Sequence, residues 1–167
     1  MKISIKHLQD GLHTFRFIEP VSACGVMGHA NLNADVEVVV ELEKSSPHLF
    51  LNNQVRTVGS FVCDRCLDEF SMSLEERVRV VFSSDPDLVA MADEEIRPLA
   101  KDANEIDITD EVRDALLLAV PIKTVCRPDC KGLCPGCGAN LNKESCRCGP
   151  QPQAVRWAGL DKFLEKS

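Results

Sequence analysis

A chain of 167 residues holds one ordinary domain, or a domain with a small module attached, and at 44% hydrophobic it can bury a core. Its formal net charge of −7 excludes a uniformly basic nucleic-acid binder, and it contains no run of about 18 apolar residues to form a transmembrane helix. Nine cysteines, in a chain whose first residues Met1 to Leu8 carry no signal-peptide core, point to the cytosol and to metal or redox chemistry rather than structural disulfides.

Ile3 and Ile5, then Phe15 and Phe17, alternate with polar residues, which predicts one or two strands over 1–18. Residues 19–31 hold a proline, two glycines and a lone Cys24, and read as a loop with Cys24 as a small buried hydrophobe. Val36, Val38, Val40 and Leu42 share one face of a strand over 32–43, with Asp35, Glu37, Glu41 and Glu43 mostly opposite. Ser45-Ser46-Pro47 ends that strand, and Asn52-Asn53 suggests a strand end and a turn after Phe50-Leu51. Val55, Thr57 and Phe61 continue into Val62-Cys63, and Leu67 to Phe82 alternates again. Cys63-Asp-Arg-Cys66 is therefore expected in a tight turn between strands, and the N-terminal half as an antiparallel meander or small barrel.

Residues 83–104 are acidic and proline-broken, and read as a solvated, mobile loop with one helical turn. From Asp85 to Asp114 there are eleven acids and three bases, a net of −8, so the rest of the chain is close to neutral. Glu105 to Ile108 reads as a short strand. Thr109 is placed as the N-cap of a helix over 110–120, with Asp110 and Glu111 facing its dipole. Val112, Ala115, Leu116, Ala119 and Val120 form its apolar stripe and Pro121 stops it. Gly149 to Gln153 is a linker, and Arg156 to Lys166 a short amphipathic tail carrying Trp157, Leu160, Phe163 and Leu164 on one side. The expected fold is α+β: an antiparallel β-rich core domain over 1–120 with one packed helix and an acidic loop, a zinc-ribbon-like cysteine module over 121–149, and a C-terminal tail with a short helix over 150–167.

Six cysteines lie between Cys126 and Cys148, around the centre Cys134-Pro-Gly-Cys137-Gly138. Two thiolates three positions apart grip one tetrahedral zinc, and the glycines let the chain turn so that amides face the sulfurs. Cys146 and Cys148 complete a four-thiolate set with Cys134 and Cys137. The remaining ligands allow two arrangements. Cys63, Cys66, Cys126 and Cys130 form a second site, or Cys130 replaces Cys146 in the first and the upstream pair carries no metal. Four thiolates also suit an iron–sulfur cluster, but the knuckle form favours zinc. A thioredoxin-like role for Cys63 and Cys66 needs a strand-to-helix context, and strands are expected on both sides. His7, His13, His29 and His48 are scattered, and neither G-x-x-x-x-G-K-[ST] nor G-x-G-x-x-G occurs. Closed all-sulfur sets do not suit a hydrolytic metal, so no enzyme is expected.

The stretch Leu118-Ala-Val-Pro-Ile-Lys-Thr-Val-Cys-Arg-Pro-Asp-Cys-Lys-Gly-Leu-Cys-Pro-Gly-Cys-Gly-Ala-Asn-Leu-Asn142, with Val62-Cys-Asp-Arg-Cys-Leu67 upstream and Arg156-Trp-Ala-Gly-Leu160 near the end, resembles the YceD-like family of large ribosomal RNA subunit accumulation proteins. The matching motifs cover nearly the whole chain in the right order. The resemblance implies a bacterial, cytoplasmic role in accumulation of 23S ribosomal RNA and so in assembly of the large ribosomal subunit. It leaves the direct partner open between 23S rRNA or its precursor and a large-subunit ribosomal protein, with no membrane and no small-molecule substrate. Lys123, Arg127, Lys131, Lys143 and Arg147 are the candidate RNA contacts. The competing reading is a protein-binding adaptor that sets the acidic segment 85–114 against a basic ribosomal protein; a thiol redox protein is a third.

Overall fold

The computed structural model describes residues 1–26, 32–91 and 96–149. Its strands are β1 (Lys2–Ser4), β2 (Gly11–Glu19), β3 (Val36–Ser45), β4 (His48–Val62), β5 (Glu69–Ser83), β6 (Ile96–Pro98) and β7 (Glu105–Asp107). The helices are α1 (Pro86–Met91) and α2 (Thr109–Ala119), with a 3-10 turn at Val21–Cys24. Strands β2 to β5 form an antiparallel meander, β6 adds to β5 in parallel, and β1 pairs with β7 in a separate two-stranded ribbon. The architecture is the α+β one expected.

Alternation decides which face is covered. Val36, Val38, Val40 and Leu42 of β3 are fully buried, and the register sets Leu42 beside Leu51 and Leu51 beside Val80. Helix α2 lays Val112, Ala115 and Leu116 into the same cluster, and the ribbon adds Ile3 and Ile106. Each such side chain contributes about 1.5–3 kcal/mol by leaving water. Cys24 is fully buried here, as a small hydrophobe would be.

Four details correct the expectations. Asn52-Asn53 is not a turn: β4 runs unbroken through it for 15 residues, and the chain reverses instead at Ser46-Pro47, where Ser45 pairs with His48. Asn53 falls on the inward face between Val40 and Val78, and neither polar atom of its side chain has a partner among the described residues. Residues 83–104 contain the expected helical segment as α1 but also a strand, β6, that was not expected, and Leu99 N–H donates to Ser83 O at 2.8 Å. Thr109 does not cap α2 but is its first residue; the Asp107 carboxylate accepts from both the Thr109 amide and hydroxyl, at 2.9 and 2.6 Å. Helix α2 therefore spans 109–119 rather than 110–120. His29 and the expected linker and tail helix over 150–167 lie outside the described residues.

The long β4–β5 hairpin positions everything that follows. Its turn carries Cys63 and Cys66, and the chain leaving α2 docks beside that turn.

Candidate metal centre

The segment after α2 is tied to the hairpin by backbone and side-chain bonds. Thr124 Oγ1 donates to Val62 O at 2.8 Å, Asp64 N–H donates to Thr124 O at 2.8 Å, and Thr124 N–H donates to Asp64 Oδ2 at 2.6 Å. This strap brings Cys126 and Cys130 over Cys63 and Cys66. Cys63 Sγ lies 3.9 Å from Cys130 Sγ, and Cys66 Sγ lies 3.7 Å from Cys126 Sγ. Phe61 and Phe70, cross-strand partners with ring centroids 6.4 Å apart and planes tilted by 44°, lie just inside the turn, and Phe70 packs against the buried cysteines.

A second cluster follows directly. Cys134 Sγ is 3.3 Å from Cys146 Sγ and 3.8 Å from Cys148 Sγ, and Cys137 Sγ is 4.0 Å from Cys146 Sγ. In each set of four, all sulfurs lie within 4.8 Å of one another. A tetrahedral ion with bonds of about 2.3 Å needs sulfurs about 3.8 Å apart, so both donor sets fit a four-thiolate metal. Cys130 thus groups with Cys63, Cys66 and Cys126, and the arrangement in which it replaces Cys146 is not the one observed.

Both C-x-x-C pairs use one backbone device. At Cys134, the Gly138 N–H donates to Cys134 O at 2.9 Å, the Cys134 N–H donates to Ala139 O at 2.8 Å, and Gly138 has φ 73°. At Cys63, the Leu67 N–H donates to Cys63 O at 2.9 Å, the Cys63 N–H donates to Asp68 O at 2.9 Å, and Leu67 has φ 60°. The knuckle is the same, with leucine standing where the second copy has glycine.

The sulfurs are surrounded by donors. Cys126 N–H reaches Cys63 Sγ at 3.4 Å, Cys148 N–H reaches Cys146 Sγ at 3.3 Å, and Asn142 Nδ2 reaches Cys130 Sγ at 3.4 Å. Burial pushes the Cys63 thiol up, but amides of Cys126, Cys66 and Arg65 outweigh it and bring it down to about 6. Amides of Ala139 and Arg147 bring Cys137 to about 6 as well. Hydrogen bonding with Cys146, Cys137 and Cys134 raises Cys148 to about 12, since neighbouring sulfurs resist a further negative charge. A dication held by the four sulfurs would offset that resistance and favour the thiolate form of each.

The two centres share a seam. Leu133 N–H donates to Arg65 O at 2.8 Å, and Arg65 Nη1 donates to Cys130 O at 3.0 Å. Asp68 accepts from Lys143 Nζ at 2.6 Å and from Asn140 Nδ2 at 3.1 Å. Asp68, Asn140 and Asn142 were not singled out by sequence; the signal for the last two was Asn-Leu-Asn directly after the knuckle, a turn-forming string able to turn its amides inward.

The five candidate RNA contacts are all exposed on this module. Lys143 pairs with Asp68, Arg147 with Glu144 at 2.5 Å, and Arg127 with Asp129 at 3.5 Å while donating to Asn142 Oδ1 at 2.9 Å. Lys123 and Lys131 have no ion pair among the described residues.

Residues 51–164 match the family model described as large ribosomal RNA subunit accumulation protein YceD. The large ribosomal RNA subunit accumulation protein YCED homolog 1, chloroplastic, of Arabidopsis thaliana is 27% identical over 157 residues, covering 78% of this chain and 49% of the relative. The protein of the same description from Zea mays is 34% identical over 145 residues, covering 70% and 49%. An uncharacterised protein of Mycobacterium tuberculosis is 35% identical over 111 residues, covering 65% and 51%. The chain spans about half the length of the curated relatives it matches. No solved structure gives a significant match.

Proposed function

The chain belongs to the YceD family of large ribosomal RNA subunit accumulation proteins, and from that premise we propose that it is a non-enzymatic assembly factor that promotes accumulation or processing of 23S rRNA in the bacterial cytoplasm. The family match carries the ribosomal RNA part of this reading, and the two four-sulfur clusters, one at the turn of the β4–β5 hairpin and one beside it, support its non-enzymatic part. A hydrolytic metal keeps a position open for water and takes nitrogen or oxygen ligands, whereas a closed thiolate set staples a surface. Zinc is the ion proposed, held by Cys63, Cys66, Cys126 and Cys130 in one centre and by Cys134, Cys137, Cys146 and Cys148 in the other. Its contribution is folding energy for a segment with little core of its own.

The stapled module presents Lys123, Arg127, Lys131, Lys143 and Arg147 on a rigid frame. The exposed ion pairs among them are worth about 0–1 kcal/mol each, so a phosphate displaces the carboxylate at little cost. The same pairing favours a second reading. Three of the five charges are already matched by acids, while Asp87 and Asp102 are exposed on the acidic segment with no ion pair among the described residues, which suits an adaptor for a basic ribosomal protein.

Crosslinking in cells followed by sequencing of the bound RNA separates the two. Recovery of a discrete 23S segment, lost on Lys131→Glu with Arg147→Glu at unchanged zinc content, is the expected result. Capture of a ribosomal protein that survives RNase, with no RNA crosslink, would establish the adaptor instead.

A further inference from the structure

A cavity of about 430 Å³ opens at the end of the sheet away from the cysteines. It is gathered from four segments: the residues after β1, the β3–β4 turn, the residue after β5 and the loop 99–104. Its rim is fastened, not loose. Ile5 N–H donates to Asn104 O at 2.9 Å, Ser84 N–H donates to Pro47 O at 3.2 Å, and Ala103 N–H donates to Ala100 O at 3.0 Å.

Three ammonium groups line it, Lys6, Lys44 and Lys101, against one carboxylate, Asp102. None of the three lysines has an ion pair among the described residues, in a chain whose net charge is −7. Lys44 is half-buried, and its Nζ donates to Leu8 O at 2.8 Å and Ile5 O at 3.3 Å. Two carbonyls fix the position of that ammonium and leave its charge uncompensated and its third proton unassigned. A half-buried cation without a counter-ion is costly, so the site is built to be completed by an anion. Leu49 and Leu99 give an apolar wall. The volume exceeds that of a bare oxyanion and suits a nucleotide.

We propose that this cavity binds the phosphate of a nucleotide, with Lys6, Lys44 and Lys101 as the charged contacts. The site lies roughly 45 Å along the hairpin from the cysteine centres, taking about 3.3 Å per strand residue, and does not depend on the function proposed above. Two sources supply the same chemistry: a free mononucleotide and the phosphates of an RNA strand.

The test follows backbone amide signals of the full, metal-loaded chain during titration with adenosine monophosphate. Adenosine serves as the control, together with a pentanucleotide with and without a 5′-phosphate. The expected result is that adenosine monophosphate moves the amides of Lys44, Leu49, Ser84 and Lys101 while adenosine does not. Lys6→Glu with Lys101→Glu, both exposed and engaged in no bond that holds the rim, should weaken binding roughly tenfold at unchanged melting temperature and metal content. A pentanucleotide that binds here only with its 5′-phosphate marks a strand end; equal binding of both forms marks internal phosphates; binding of the mononucleotide alone marks a free ligand. All three support the site. No movement around the cavity at about 10 mM adenosine monophosphate, or a double variant that binds it as well as the parent, overturns the proposal.

Discussion

Two glycines of the cysteine module adopt the same backbone conformation in different surroundings, and substituting each with alanine measures the seam between the centres. Gly132 has φ 74° and Gly138 has φ 73°. A side chain in this left-handed region costs about 1–2 kcal/mol at either position. A Cβ at Gly138 would meet nothing within 4 Å. A Cβ at Gly132 would sit 2.9 Å from Arg65 O and 3.4 Å from Arg65 Cβ. That carbonyl cannot withdraw freely, because it accepts from Leu133 N–H at 2.8 Å, and losing the bond costs about 1 kcal/mol more. Gly138→Ala should therefore destabilise by about 1–2 kcal/mol and Gly132→Ala by about 2–4 kcal/mol, once the steric shift is included. The difference falls on the first centre, since Cys130 is two residues from Gly132 and Arg65 lies within the C-x-x-C turn. Competition with a chromophoric chelator reads it: one metal should leave Gly132→Ala roughly tenfold more readily than Gly138→Ala, an energy difference of about 1.4 kcal/mol. Equal release from the two variants would show that the close approach at Arg65 carries no energy, and the seam argument would fail.

Elemental analysis should find two zinc ions per chain, and Cys63→Ser should lower the count by one; an unchanged count would leave only the Cys134 centre metallated. Asn53→Leu should stabilise the fold by about 1 kcal/mol in urea unfolding, because it removes two unpaired buried polar atoms from an apolar face; a loss of stability would reveal a bridging water or partner. Bonds from the Thr109 hydroxyl and amide bring Asp107 down to about 2, against about 3.9 in an unfolded chain. A depressed carboxylate stabilises above the unfolded value and loses that contribution as pH falls from about 4 to 2. Asp107→Asn should consequently flatten the melting temperature over that range, and an unaltered slope would place the acid sensitivity elsewhere.

The strand pattern was legible where burial alternates cleanly. Val36 to Leu42 has valine or leucine at every second position, and the structure buries all four. The long hairpin was half legible. Asn52-Asn53 carries turn residues, yet the four residues before and the nine after it alternate in phase across β4, and the sheet kept the register at the expense of an unsatisfied amide. The parallel strand β6 has three residues and a proline, too short for any period to show. Likewise Thr109 is a good N-cap by type, but Ile108 holds the N-cap position without a side-chain bond, and Asp107 just before it accepts from the Thr109 amide. At the metal centre the eight cysteines could be named from spacing alone, whereas their allocation could not. It depends on Thr124 meeting Val62 and Asp64, which lie 62 and 60 positions earlier in the chain. The likeness of the two knuckles was hidden by one residue, because Leu67 occupies the left-handed position that Gly138 advertises.

The first centre draws its ligands from both sides of the acidic segment, with Cys63 and Cys130 separated by 67 residues. During translation that separation becomes a delay. At 5–20 residues per second the hairpin thiols emerge roughly 3–13 s before their last partner is made. The second centre is gathered within 14 residues and closes almost as soon as it appears. An oxidant acting on the growing chain would therefore strike the Cys63 and Cys66 pair selectively. The mark it leaves would be a protein with an intact distal centre and a hairpin tip sealed before the strap could reach it.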